Sequence, residues 1–226
     1  MPVNDGVILP VDTDSRPLGS VPLLLGFTRN EARYFIRPGM LPYNRIILGK
    51  LTRVLAGAQA KAVLSQLAAQ GASMYDRFDQ VYTDAIWAEP MLTTAKRLLA
   101  SGHQFYCYRF DRVSPGAAAS NFRAQHTAEL RYLFATLTAD GYDETDRRIS
   151  AWMQAHWVAF ARDGAPVDTV WRPYREGERI LIVGDDFHQE RIEDDPVVPL
   201  LHRLRAIEAS PPRRWFSLFR RLRPWK

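Results

Sequence analysis

The feature that most constrains the fold is an uncharged apolar run, VPLLLGF, at residues 21–27. A run of this length without polar alternation is typical of a strand buried on both faces of a parallel sheet. The segment QFYCYRFD, at residues 104–111, is rich in aromatic side chains and predicts a second strand. Helical patterns lie between the two. This order of strand, helices and strand predicts an α/β fold with a right-handed crossover.

Five segments have the apolar spacing of helices: residues 47–69, 85–99, 127–137, 145–162 and 197–209. Asp84 offers a cap for the second of these, which Pro90 either kinks or restarts. Residues 112–125 predict a long loop beyond the second strand, and such loops often carry chemistry. Residues 184–186 predict a hairpin turn between strands at 179–183 and 188–192.

The charge distribution divides the chain into a body, residues 1–210, and a basic aromatic tail, residues 211–226. The tail holds six basic side chains and no acid, one charge more than the net +5 of the whole chain, so the body has a net charge of −1. A nucleic-acid-binding domain would spread positive charge over a face or groove of the body. The composition therefore argues against nucleic acid as a partner.

The tail has aromatic and leucine side chains at helical spacing opposite arginines, which predicts an amphipathic helix on an anionic membrane surface. A disordered extension and a helix docked on the body are the alternatives. No stretch approaches the ~20 apolar residues that a membrane-spanning helix needs. The first residues also lack the pattern of a secretory signal, so the cytoplasm is the default expectation for localisation.

Histidine is the main candidate for acid–base chemistry. The chain has five histidines, and their positions relative to the predicted strands and helices distinguish a catalytic candidate from structural ones. His126 follows a strand and its loop and then opens a helical pattern, which is where open α/β sheets present catalytic groups. Glu31 similarly follows the first strand by a few residues. The other histidines are interpreted as structural: His103, His156, His188 and His202. The single cysteine, Cys107, excludes a disulfide scaffold and is expected in the core.

Several segments together resemble the type-B carboxylesterases, the family of the cholinesterases and the para-nitrobenzyl esterases. VPLLLGFTRNEARYF, at residues 21–35, is similar to the strand and loop that carry the acidic triad residue, with Glu31 in that place. AQHTAELRYLF, at residues 124–134, is similar to the segment of the catalytic histidine, with His126 in that place. The other similar segments are TDAIWAEP, QFYCYRFD, AWMQAHWVAFARDGAP and WRPY. The resemblance runs in order over residues 2 to about 205.

The resemblance implies the C-terminal half of an α/β-hydrolase fold, a partial and mostly parallel sheet flanked by helices. It also has departures, because Asn30, Ala32 and Thr127 stand where the family usually has aspartate, glycine and glycine. No Gly-x-Ser-x-Gly nucleophile elbow and no glycine-rich oxyanion loop occur in the 226 residues. In the family both precede the part that this chain resembles. Ser73 and Ser114 lack the strand-to-helix elbow that a substitute nucleophile would need.

The resulting hypothesis is a carboxylic ester hydrolase fragment in which Glu31 is the orienting acid and His126 the general base. The expected partners are a small-molecule ester and a chain that supplies the N-terminal half, with its serine and oxyanion hole. No ligand spacing indicates a metal, and no cofactor is implied. The alternative is a non-catalytic interaction module whose basic tail contacts a membrane or a protein. The fragment is expected to be inactive alone.

Overall fold

The computed structural model of the chain describes residues 21–37, 39, 42–138, 140–167, 170–175 and 179–207. The predicted boundary at residue 210 and the basic tail lie outside these residues. Within them, no helix is both long enough and apolar enough to cross a bilayer.

A four-stranded sheet forms the centre of the described structure. Its strands are, in chain order, β1 (Leu23–Thr28), β2 (Phe105–Phe110), β3 (Ile180–Val183) and β4 (Phe187–Glu190). They lie side by side in this same order, with β1, β2 and β3 parallel and β4 antiparallel to β3. The predicted α/β class, mostly parallel sheet and edge hairpin are confirmed.

Eight α-helices connect and cover the strands in the described part of the chain: α1 (Arg45–Ala56), α2 (Ala60–Ala69), α3 (Met74–Thr83), α4 (Glu89–Ala100), α5 (Pro115–Ala119), α6 (Leu130–Leu133), α7 (Glu144–Asp163) and α8 (Val198–Ile207). Three 3₁₀ turns, at Glu31–Tyr34, Gly57–Gln59 and Ile192–Asp194, and a π-helical turn at Asp84–Ala88 join them. The predictions of α7 and α8 are confirmed to within a few residues.

The prediction of one helix over residues 47–69 is wrong, because the chain breaks between α1 and α2. Gly57, at φ +46°, ends α1 in a conformation that favours glycine, and its N–H bonds to the carbonyl of Arg53. The apolar spacing continues across this break, so periodicity does not reveal it. Helix α3 was not predicted, although Ser73 caps it by accepting a hydrogen bond from the Asp76 N–H.

Two further local predictions are corrected by the structure. Asp84 is no helix cap: it lies in the π-helical turn that joins α3 to α4, and Pro90 falls in the first turn of α4, the restart alternative. The helix predicted over residues 127–137 shortens to α6, because Thr127 and Ala135 have left-handed backbones at φ +68° and +53°. The predicted loop over residues 112–125 contains α5.

Alternate side chains of the strands enter two separate cores. Phe105 and Cys107 of β2 face the core shared with α4 and α8, whereas Tyr106 and Tyr108 face the core shared with α7. All six residues of β2 are buried. Leu23, Leu24 and Leu25 of β1 are only half-buried, contrary to the expectation of full burial, because β1 pairs on one side only among the described strands.

Candidate active site

Glu31 lies directly beyond the carboxyl end of β1, in the first position of a 3₁₀ turn. Its side chain is buried, and the backbone N–H of Thr28 donates to its Oε1 at 2.7 Å. This hydrogen bond from the end of β1 fixes the position of Oε1. The other carboxylate oxygen, Oε2, contacts the segment around residue 126.

His126 donates a hydrogen bond to that second oxygen. The distance from Glu31 Oε2 to His126 Nδ1 is 2.5 Å, although the two residues are 95 positions apart in sequence. An ionised carboxylate only accepts hydrogen bonds, so this contact assigns the imidazole proton to Nδ1. The side chain of His126 is 36% exposed, and its Nε2 has no hydrogen-bond partner among the described residues. The predicted proximity of the two side chains is confirmed.

The two loops that carry this pair are held by backbone hydrogen bonds. The N–H of Arg29 donates to the carbonyl of Phe110, and that of Asn30 donates to the carbonyl of Ala124, both at 2.9 Å. Asn30 and Gln125 also form an isolated parallel bridge. The histidine loop therefore returns to the end of β1, and the pair lies at the carboxyl end of the parallel sheet, where α/β folds bind ligands.

Burial raises the pKa of Glu31 above its ordinary value, while the Thr28 N–H and the contact with His126 act in the opposite direction. A second carboxyl group, that of Glu129, lies close to the pair and was missed by the sequence reasoning. Burial and the charge of Glu31 raise the pKa of Glu129, and Oε2 of Glu129 has no hydrogen-bond partner among the described residues. The signal for it was its spacing, three residues after His126 in a helical segment.

Three aromatic rings surround the imidazole of His126. The ring centroids of Phe35, Trp87 and Tyr34 lie 5.3, 5.8 and 6.0 Å from that of the imidazole. Tyr34 and Phe35 are 45% and 40% exposed, which is unusual for side chains of this size. The exposed edge of His126 therefore opens onto an aromatic surface.

Thr127 occupies the position where the family commonly has glycine. Its φ of +68° lies in the left-handed region, which is uncommon for any residue except glycine and least favourable for a β-branched one. The backbone directly after the histidine thus has a conformation that favours glycine, the residue that the resemblance leads one to expect there. The hydroxyl of Thr127 donates to the carbonyl of His126 at 2.6 Å.

The structure supports a structural interpretation of His156, Cys107, Ser73 and Ser114. His156 is buried, stacks on Trp152 at 3.7 Å and bonds to the carbonyl of that residue. Cys107 is a buried core side chain, and this burial raises the pKa of its thiol. Ser73 and Ser114 accept backbone hydrogen bonds as the caps of α3 and α5. Within the described residues, no group of histidine, cysteine and acidic side chains has metal-binding geometry.

A cavity of about 350 Å³ lies behind the histidine loop and includes Gln125 and Ala128 in its wall. Neither Glu31 nor His126 lines it. The imidazole of His126 therefore contacts the aromatic rings and does not line this cavity.

Comparison with known proteins gives a consistent result. A sequence model described as "Carboxylesterase family" matches residues 1–194. The para-nitrobenzyl esterase of Bacillus subtilis (strain 168) is 29% identical over 192 residues, which cover 78% of this chain and 36% of that protein. Carboxylesterase 5A of Canis lupus familiaris is 23% identical over 157 residues, 61% of this chain and 27% of that protein.

Solved structures show the same relationship at the level of the fold. A thermophilic PNB esterase and a second PNB esterase superpose with TM-scores of 0.62 and 0.61. Each is 24% identical and is matched over 80% of this chain and 38% of its own. The described sheet and helices are therefore part of an α/β-hydrolase fold. The chain spans about a third of the length of the curated relatives it matches.

Proposed function

Because the chain belongs to the carboxylesterase family, we propose that it supplies the acid and the histidine of a Ser/His/Glu triad for ester hydrolysis. In this proposal Glu31 is the orienting acid and His126 the general base. The nucleophilic serine and the oxyanion hole come from a segment outside this chain.

The observation that supports this proposal most strongly is the contact between Glu31 Oε2 and His126 Nδ1 at 2.5 Å. A triad histidine needs its Nδ1 proton bound to a carboxylate, so that Nε2 is unprotonated and faces the serine. The carboxylate then stabilises the imidazolium that forms when Nε2 takes a proton. In this chain Nδ1 contacts the carboxylate and Nε2, on a side chain that is 36% exposed, has no hydrogen-bond partner among the described residues, which is the arrangement that a general base requires.

The proposed chemistry follows from that arrangement. Nε2 of His126 accepts the proton of the serine hydroxyl while the serine oxygen attacks the ester carbonyl carbon. The same proton then goes to the departing alkoxide as the carbon–oxygen bond of the ester breaks, leaving an acyl-serine. Water, deprotonated by His126, attacks the acyl carbon, and the serine recovers its proton as the acid is released.

The aromatic surface beside His126 favours an ester with an apolar group. Exposed rings such as those of Tyr34 and Phe35 lose contact with water when an apolar acyl or alcohol group packs against them. Each square ångström of apolar surface removed from water contributes roughly 25 cal/mol. An apolar ester is therefore the proposed substrate class.

The segment that supplies the serine is proposed to pair with the open edge of β1. Leu23, Leu24 and Leu25 are half-buried and Gly26 is exposed, although these residues belong to a parallel strand. The strands of a parallel sheet are normally covered on both faces. A further parallel strand alongside β1 would cover these residues and bring its own carboxyl end next to Glu31 and His126.

Activity-based labelling tests the proposal on the chain itself. Without an elbow serine no acyl-enzyme forms, and the loss of even one oxyanion donor costs about 3–4 kcal/mol of transition-state stabilisation. The purified chain is therefore expected to hydrolyse short aryl esters no faster than free imidazole and to resist a fluorophosphonate probe. Stoichiometric labelling of a serine that disappears in His126→Ala would contradict the proposal, since it would show a nucleophile within this chain.

A further inference from the structure

Arg33 is a fully buried arginine located two residues after Glu31, in the same 3₁₀ turn. Arginine is almost never fully buried unless its charge is paired. Its guanidinium here contacts two separate segments of the chain. One is helix α3, and the other is the loop that leads to His126.

The contacts with α3 are ionic. Nε of Arg33 donates to Asp79 Oδ2 at 2.8 Å, and Nη2 donates to Asp76 Oδ1. Asp79 Oδ2 also accepts from the side-chain amide of Asn30 at 2.7 Å, so one carboxylate holds residues on both sides of Glu31. The ring of Tyr75 lies under the guanidinium, 4.7 Å from its central carbon.

The contact with the histidine loop is made by a single donor group. Nη1 of Arg33 donates to both the backbone carbonyl and the side-chain Oδ1 of Asn121, at 2.8 and 2.7 Å. Asn121 has φ +58°, a left-handed conformation that asparagine adopts more readily than most residues. This conformation presents both oxygens of Asn121 to the same guanidinium nitrogen.

We propose that Arg33 is a positioning residue for the Glu31–His126 pair. Arg33 lies in the same 3₁₀ turn as Glu31 and bonds to Asn121, five residues before His126. Both loops are thereby fixed to α3 as a common support. The role rests on the proposed function, because positioning the pair matters only if the pair acts on a substrate.

The geometry requires arginine rather than any cation. A guanidinium presents five donors in a planar fork, whereas a lysine ammonium is a compact charge on a flexible stem. Lysine at position 33 keeps a positive charge for Asp76 and Asp79 but cannot at the same time donate twice to Asn121. Arg33→Lys thus separates the positioning role from simple charge neutralisation.

The readout is the low-field NMR signal of the His126 Nδ1 proton, which the bond to Glu31 shields from exchange with water. It is recorded on the purified chain and assigned by its absence in His126→Gln and Glu31→Gln. Arg33→Lys is expected to lose this signal by exchange. Asn121→Gly keeps the left-handed backbone and the carbonyl but removes Oδ1, and is expected to broaden the signal.

Arg112→Lys is the matched control. Arg112 is also buried and bonds to three aspartates, Asp143, Asp146 and Asp185, but it does not contact the acid loop. The variant is expected to lower the melting temperature as Arg33→Lys does and to keep the His126 signal.

Two results would overturn the proposal: a signal that persists in Arg33→Lys, or one that is lost equally in Arg112→Lys. The first means that Arg33 is purely structural, and the second that any buried arginine has the same effect. Failure of the proposed function is observed separately, as an absence of ester hydrolysis when the missing segment is supplied to a chain whose signal is intact.

Discussion

Asn30 and Gln125 form a parallel backbone bridge, and each directly precedes one member of the Glu31–His126 pair. Gln125 lies fifteen positions beyond Phe110, the last residue of β2, so the bridge joins two loops and does not continue the register of β1 with β2. It fixes the two loops to each other directly before the acid and the histidine. Such a backbone contact limits how far the two side chains can move apart, which suits a contact that has to be within hydrogen-bonding reach.

Gly26 is predicted to be intolerant of any side chain. A Cβ at this position would lie 2.0 Å from the ring of Tyr108, which covers the glycine from the neighbouring strand β2. Gly26→Ala must displace that ring from its core and is expected to cost about 1–3 kcal/mol of unfolding free energy in chemical denaturation.

Gly49, in the middle of α1, provides the control for Gly26. A Cβ there meets nothing within 4 Å, and alanine has the higher helix propensity, so Gly49→Ala is expected to stabilise the chain by about 0.5–1 kcal/mol. Equal effects of the two substitutions would show that the close approach of Tyr108 is not what requires glycine at position 26.

Asp84 is predicted to make stability fall as pH rises. Its side chain is buried, Oδ2 has no partner among the described residues, and burial together with the charge of Asp195 raises its pKa well above the ordinary value. Arg29 and Arg109 oppose this shift, and Asp79 adds to it. The folded chain therefore binds this proton more tightly than the unfolded chain does, and the associated stability is lost as pH rises through the folded-state pKa.

Asp84→Asn keeps the shape of the side chain but is always neutral, so it is expected to melt at a higher temperature than the parent at pH about 8, with a smaller gain at pH about 5. Asp163→Asn is the control, because Asp163 is exposed and its bond to Arg162 lowers its pKa. A gain for Asp84→Asn that does not change with pH would contradict a buried carboxyl that titrates on unfolding.

The edge of β1 that has no partner strand among the described residues is predicted to make the isolated chain self-associate. Unpaired strand edges with apolar flanks are templates for pairing with another chain. Val21, which precedes β1, is 64% exposed, and Val158 on α7 is 63% exposed. In sedimentation velocity, Val21→Lys is expected to reduce association and Val158→Lys to leave it unchanged. A parent chain that is monomeric at all concentrations would argue against an open edge.

The parts of this structure that sequence could predict are those with a local or family signature. The two apolar strands, the hairpin and α7 follow from residue patterning, and the places of Glu31 and His126 follow from the family resemblance. Local backbone conformation was predicted less well. The break at Gly57 and the turn at Thr127 depend on left-handed residues that do not disturb the apolar spacing around them.

Apart from the contact between Glu31 and His126, which the family resemblance predicted, contacts between distant segments could not be predicted. An arginine in a polar segment is expected on the surface, and Arg33 is buried only because Asp79 and Asn121, 46 and 88 positions away, come to it in the folded chain. Glu129 was similarly overlooked although it stands three residues after His126, because the sequence does not show that the fold brings its carboxyl group near Glu31.

The central claim is that Glu31 and His126 act on an ester once a serine is supplied, and complementation tests it most directly. The chain is co-expressed with the N-terminal part of the Bacillus subtilis para-nitrobenzyl esterase, in which the family pattern puts the nucleophile elbow. The complex is purified, and turnover of an aryl ester is measured for the parent, His126→Ala and Glu31→Gln. We expect hydrolysis by the parent complex and a loss on the order of 10²–10⁴-fold in His126→Ala, as for removal of a general base. A purified complex with no turnover, or one in which His126→Ala is as active as the parent, would contradict the claim.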